Sequence, residues 1–308
     1  MHLRCIQNGL TVKRDTVRHL LRLLDPEGVE IRSRRRLRRR IYRGRGPNFI
    51  WHVDSNDKLK PYGICINGCI DGYSRNVLWV ESYSTNSDPY VIAGYFIQTV
   101  LDNVGCPRVI RADFGTENST IRAMQYFFRT DGQDPFSGAR SFIQGSSQHN
   151  QRIECWWSVL RKHCLQFWMN LFEELKDNGD FCGDFLDKSL VQFCFMNLFQ
   201  DDVDTIKKEW NSHRISSSRN RHGPFGRPSV MYSMPQLYGT QNFLVPVQPD
   251  EIEVCESECT FKSPYPCDRD VFDLCITLMA EAGITAPTNP REGQDLYHFL
   301  RTEILHRI

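Results

Sequence analysis

Apolar residues recur along this 308-residue chain in distinct rhythms, and each rhythm predicts a different kind of element. In residues 15–25 (DTVRHLLRLLD), Val17, Leu20, Leu21 and Leu24 fall at helical spacing with Asp15 or Thr16 as a cap. A single amphipathic helix is expected there, ended by Pro26, Glu27 and Gly28. From Phe49 the runs shorten to strand type. Residues 49–53 (FIWHV) lead into Asp54, residues 63–70 (GICINGCI) reach the turn signal Asp71-Gly72, and residues 77–83 (VLWVESY) form the returning strand. Helical spacing resumes over residues 87–104 through Ile92, Tyr95, Phe96, Thr99 and Val100. A further short strand, residues 107–112 (PRVIRA), ends at Asp113.

Residues 120–130 predict a short helix, and residues 131–148, rich in Gly, Ser, Gln and Pro, predict a mobile loop. The next helix begins near His149, with Ile153, Trp156, Leu160 and Cys164 or Phe167 on one face and Glu154 one step off it. Helical character continues over residues 181–210, and residues 216–228 form a polar Arg/Gly/Pro/Ser segment suited to a boundary. The last 80 residues end in a helix near residues 295–304 and carry no motif that names a chemistry. Three segments are expected: 1–46, 47–215 and 216–308.

Composition bounds this picture without deciding it. The chain is long enough for one large domain or two to three small ones, and a 40% hydrophobic content is ordinary for a protein with a real core. No apolar run approaches the roughly 18 residues of a membrane span. The basic, polar N-terminus has no apolar core of a secretory signal, so an intracellular protein without membrane association is expected. Twelve cysteines scattered through apolar stretches then read as free, mostly buried thiols.

Charge changes the picture more. Residues 1–46 hold 14 Lys and Arg against 4 Asp and Glu, a net +10, while the other 262 residues carry −9. The block RSRRRLRRR at residues 32–40 repels itself unless a polyanion is near. Such an arm binds nucleic acid through counterion release, which makes Arg34, Arg35, Arg36, Arg38, Arg39 and Arg40 candidate DNA contacts. The alternative is a solvated segment that only directs nuclear import, and on either reading the nucleus is the expected location.

Three carboxylates stand where phosphodiester chemistry needs them. Asp54 and Asp113 each follow a strand and Glu154 lies on the helix after the flexible loop, with 58 and 40 residues between them. A phosphodiester is already anionic, so attack on it requires charge neutralisation at both the entering and leaving oxygens, which two divalent ions about 3.5–4 Å apart provide. Mg²⁺ takes few protein oxygens, so three acids leave positions open for a hydroxyl or water and the target phosphate. Asp71 is assigned to the Asp-Gly turn, Asp57 to the loop after Asp54, and Glu117 to loop backbone near Asp113.

The phrases FIWHVDSND, CIDGYSRNVLWVE, VIRADFGTEN and SSQHNQRIECWWSVLRK resemble, in order, the signatures of the integrase catalytic core shared by retroviral integrases, retrotransposon integrases and many DDE transposases. In texture they are most similar to integrase-core proteins of transposon origin in animal genomes. The resemblance covers roughly residues 47–176 and implies an α/β, ribonuclease-H-like fold: a mixed five-stranded sheet flanked by helices, here with helical N- and C-terminal extensions. It implies that Asp54, Asp113 and Glu154 are catalytic and hold two Mg²⁺ or Mn²⁺ ions for strand cleavage and transfer. On the helix of the third acid, Asn150, Ser158 and Arg161 share its side at spacings of four and seven, and Arg161 and Lys162 are implied to meet DNA ends. An exposed helix surface is the alternative for that pair. DNA is the implied partner, with a homo-oligomer on the DNA ends.

The chain departs from retroviral integrases in two places. The gap between Asp113 and Glu154 is longer, which residues 132–140 account for. At the N-terminus His2, Cys5 and His19 lack the spacing of a His/His/Cys/Cys zinc module, and the helix at residues 15–25 instead resembles the last helix of a helix-turn-helix, with Met1 too close to supply the preceding ones. Cys255, Cys259, Cys267 and Cys275 have no zinc spacing. Trp156 and Trp157 offer base-stacking surfaces, but aromatic residues on a helix beside a sheet more often pack, and Trp156 is assigned to packing. Three functions stay open: a metal-dependent polynucleotidyl transferase, a domesticated transposon-derived DNA-binding or interaction protein without strand transfer, and a nuclease of the same fold acting on RNA·DNA hybrids.

Overall fold

The computed structural model describes residues 1–33, 44–145, 150–217 and 223–307. In chain order its elements are α1 (His2–Gln7), α2 (Arg14–Leu24), α3 (Pro26–Ser33), β1 (Ile50–Asn56), β2 (Cys65–Asp71), β3 (Val77–Tyr83), α4 (Pro89–Asn103), β4 (Gly105–Cys106), β5 (Val109–Ala112), α5 (Ser119–Phe128), β6 (Phe142–Gln144), α6 (Gln151–Leu160), α7 (Gln166–Asp177), α8 (Phe185–Ser212), α9 (Pro228–Ser233), β7 (Val245–Pro246), α10 (Pro249–Glu256), α11 (Arg269–Ala282) and α12 (Pro290–Arg307). Five strands form one sheet in the order β3-β2-β1-β5-β6, with β1, β2 and β3 antiparallel and β1, β5 and β6 parallel. This is the mixed, ribonuclease-H-like sheet flanked by helices.

Alternation along the strands sorts side chains into two cores, one on each face of the sheet. Trp51, Val53, Cys69, Trp79, Ile110 and Ala112 face α4 and α5. Ile66, Ile70, Val77 and Val80 face α6, α7 and α8. The long helix α8 lies across β3, where Gln200 accepts from the N–H and hydroxyl of Ser82 and donates to the carbonyl of Val80.

Several sequence expectations are sharpened or corrected. The helix over residues 15–25 does end before Pro26, at Leu24, but Pro26 also starts α3, because a proline at the first helical position gives up only an N–H that had no partner, and the Asp25 carboxylate caps the turn by accepting from the Gly28 N–H at 2.9 Å. The hairpin after β2 turns from Gly72 as the Asp71-Gly72 signal predicts, and its left-handed position is Arg75, at φ 64°. Asp71 organises that turn as expected: its buried carboxylate accepts from the N–H groups of Asn48, Tyr73 and Ser74 and from the Ser74 hydroxyl. The fifth strand, β6, lies within the span expected to be a mobile loop. It is three residues long, too short for periodicity to reveal, and it is formed by parallel pairing with β5.

Described residues of the C-terminal region build onto both cores. Val247, Ile252 and Cys255 join the α4 side, while Cys275, Leu278, Leu296, Tyr297, Leu300 and Ile304 join the α8 side. α12 is tied to the start of α8 through Asp187, which is 2% exposed and accepts from Arg301 Nε at 2.9 Å and from the Cys182 N–H. Replacing Asp187 by Ala leaves that guanidinium without its partner, and urea denaturation is expected to show a loss of about 3–5 kcal/mol.

Candidate active site

The direction of the first acid follows from strand alternation. Trp51 and Val53 point into the α4 core, so His52 and Asp54 point toward α6. Two contacts bear this out: Asn150, at the start of α6, meets His52 Nδ1 at 2.7 Å, and Trp157 Nε1 donates to Asp54 Oδ2 at 2.8 Å. On β5, Ile110 and Ala112 enter the α4 core, which turns Arg111 and, one residue past the strand, Asp113 toward the α6 side. The parallel register pairs His52 with Arg111, and continuing it by two residues sets Asp54 level with Asp113. Glu154 sits in the first turn of α6, one turn before Trp157.

The charges of the other two acids reach Asp54. Burial pushes the Asp54 carboxyl up to about 7; the negative charges of Glu154 and Asp113 add to the rise and the Trp157 N–H opposes it. Glu154 is raised by burial and then by Asp113. Glu117 is also raised, by burial first, with Asp113 and Asp57 contributing. The Asn118 amide joins two of these acids, donating to Asp113 Oδ1 at 3.2 Å and to Glu117 Oε1 at 2.9 Å. Among the described residues no Lys or Arg forms an ion pair with Asp54, Asp113 or Glu154.

Hard carboxylates driven toward protonation for want of a cation fit a divalent ion, which would offset both the burial cost and the repulsion. The oxygens of the three do not all come within 4.8 Å of one another. The one group that does, among the described residues, is Cys182, Asp184 and Asp187 at the start of α8. There Asp184 accepts from the Asp187 N–H and the Cys182 thiol, and Asp187 is held by Arg301, so these atoms already serve the helix cap and the α12 contact.

Of the expected DNA contacts, Ser158, Arg161 and Lys162 are exposed on the helix that carries Glu154. Arg161 and Lys162 lie in a π-helical turn, Arg161–Leu165, which joins α6 to α7. Asn150 is corrected: it is 1% exposed, and its amide donates to the Val53 carbonyl at 2.8 Å while its oxygen meets His52, so it clamps α6 to β1 and has no surface for DNA. Burial pushes the His52 imidazole down to about 3, so the ring is neutral and Nδ1–H is the donor in that contact. Arg34, Arg35, Arg36, Arg38, Arg39 and Arg40 lie outside the described residues.

Sequence reading missed the role of Trp157. A signal for it existed in Gly68, since a glycine inside a strand often marks a close approach. Gly68 stands opposite Asp54 in the β1–β2 register, and a Cβ there would meet the Trp157 ring at 2.8 Å.

The raised Asp54 carboxyl has a stability consequence. Its folded value, about 7, exceeds its ordinary 3.8, so its contribution is fully present below that ordinary value and is lost as pH rises through 7. In EDTA, the advantage of Asp54→Asn over wild type in denaturant titrations is therefore expected to grow between pH 5 and pH 8.

A model of the integrase core domain family matches residues 41–228, more than half of the chain. Among solved structures, the chain is similar to one of the simian T-cell lymphotropic virus intasome in complex with PP2A regulatory subunit B56 gamma, at 14% identity and a TM-score of 0.40, over 70% of this chain and 64% of that one. The chain thus spans less than two thirds of the length of that intasome chain. No curated protein matches. On the family match, supported by the mixed sheet and its flanking helices, this chain belongs to the integrase core domain family.

Proposed function

We propose that this protein is a metal-dependent polynucleotidyl transferase that cleaves and joins DNA strands in the nucleus, with Asp54, Asp113 and Glu154 holding two Mg²⁺ or Mn²⁺ ions. The family is one of DNA integration and generally works with divalent metals. The observation that carries the proposal is the convergence of three acids, on β1, just past β5 and on α6, toward one side of the sheet, where burial and the charges of Glu154 and Asp113 raise Asp54 and no Lys or Arg pairs with any of the three among the described residues. When bound, such ions neutralise charge on the attacked phosphate and activate the attacking hydroxyl or water.

The chain's own residues supply position and DNA contact. The Asn150 amide fixes α6 on β1, which sets where Glu154 stands relative to Asp54. Ser158, Arg161 and Lys162 are exposed further along the same helix and are suited to phosphate oxygens. The arginines at positions 34–40 add sequence-independent attraction, and homo-oligomerisation would bring two DNA ends together.

A second reading, a DNA-bound scaffold without strand transfer, is favoured by the separation of the three acids. The two part in one assay. Full-length protein with Mn²⁺ and DNA ending in the terminal repeats of its element is expected to nick or join strands, and Asp113→Asn and Glu154→Gln are each expected to fall to the no-protein background while DNA affinity holds. Activity that survives both changes would falsify the catalytic assignment. In parallel, replacing the six arginines between Arg34 and Arg40 is expected to flatten the salt dependence of binding, by roughly 0.9 in the log–log slope for each phosphate that the arm no longer neutralises. Filter binding between 50 and 200 mM salt measures that slope.

A further inference from the structure

We infer that Trp157 is a positioning residue for the first metal-holding acid: its ring lies against Gly68, where no side chain stands in the way, and its indole N–H fixes the Asp54 carboxylate through Oδ2. The inference rests on the proposed role of Asp54 and adds a residue that the family match does not name.

Its basis is geometric. Trp157 is 6% exposed and belongs to the core between the sheet and α6, so its ring cannot swing away without opening packed space. From there Nε1 reaches Asp54 Oδ2 at 2.8 Å. An indole has a single N–H and no acceptor, so the contact has one polarity: Trp157 donates and the carboxylate accepts. Glu154 lies three residues earlier on α6, so one rigid helical turn carries both the third acid and the group that orients the first.

Gly68 makes the approach possible. It pairs directly with Asp54 across the two antiparallel strands, and a methyl group there would stand 2.8 Å from Trp157 Cη2 and 3.4 Å from Cζ2, closer than carbon atoms pack. Asp54, Gly68 and Trp157 therefore form one unit drawn from β1, β2 and α6. The Trp157 bond is charge-assisted when Asp54 is ionised, and an outer partner of this kind holds a metal ligand in its working rotamer before the ion arrives.

The test uses the full chain and Mn²⁺ alone, with free Mn²⁺ counted by electron paramagnetic resonance. Wild type is compared with Asp54→Asn, Trp157→Phe, which keeps a ring and removes the donor, and Gly68→Ala, which removes no hydrogen-bonding group. Asp54→Asn is expected to abolish binding at the triad. Trp157→Phe and Gly68→Ala are each expected to weaken it about 10–100-fold, read at a temperature well below each variant's metal-free melting point, since the smaller ring and the added methyl both lower stability. As a readout that packing alone would not move, the Trp157 indole N–H resonance, identified by its loss in Trp157→Phe, is expected to shift in Asp54→Asn and on addition of Mg²⁺. Wild-type Mn²⁺ affinity in both Trp157→Phe and Gly68→Ala, with binding abolished in Asp54→Asn, overturns the positioning role alone. Unchanged binding in Asp54→Asn overturns the proposed metal site itself and this inference with it. Should Trp157→Phe not fold, the Mn²⁺ affinity of Gly68→Ala decides the matter.

Discussion

Holding carboxylates near one another on one side of a sheet costs free energy, and the cost is highest where the protein supplies no cation. Asp54, Asp113 and Glu154 are in that position: none has an ion-pair partner among the described residues, and burial together with mutual repulsion raises Asp54 to about 7. The surrounding structure can be understood as what keeps these groups in place against that cost. Neutral hydrogen bonds do much of it. Asn150 ties the start of α6 to the Val53 carbonyl and to His52, Trp157 ties the next turn to Asp54, and Asn118 spans Asp113 and Glu117. None of these donors cancels the negative charge, so the attraction for a cation is preserved.

These small contacts are effective because the elements beneath them are rigid. β1 is flanked by β2 on one side and β5 on the other, and its Trp51 and Val53 are fully buried. α6 is held from behind by Trp156, Leu160 and the α7–α8 core, which α11 and α12 complete. The C-terminal helices thus support the site indirectly, by closing the core against which its helix rests. Asp187 and Arg301 are the polar tie in that outer layer.

Much of this was legible in the sequence, for identifiable physical reasons. Strand alternation and helical spacing are strong in residues 49–53, 63–70, 77–83 and 87–104, and the observed β1, β2, β3 and α4 fall there. The order and local phrases of Asp54, Asp113 and Glu154 marked them as candidates, and all three are found toward the α6 side of the sheet. What escaped was whatever depends on pairing over long distance. β6 exists because β5 offers it a parallel partner, and Asn150 turns inward because Val53 and His52 present an acceptor and a ring nitrogen. Helical spacing alone set Asn150 on the side of Glu154 and Ser158, and could not register that its position ahead of the first helical residue leaves it free to fold back on β1. The Gly68–Trp157 fit has the same origin, since a strand glycine announces a close approach without saying what approaches.

Everything proposed for this protein depends on the acids on the α6 side of the sheet forming a divalent-ion site. Anomalous diffraction from crystals soaked in Mn²⁺ addresses this without relying on catalysis or on a known DNA substrate. The predicted result is manganese density coordinated by Asp54, Asp113 and Glu154. Density only beside Cys182, Asp184 and Asp187, or none within reach of Asp54 at a concentration that saturates the protein in solution, would contradict it.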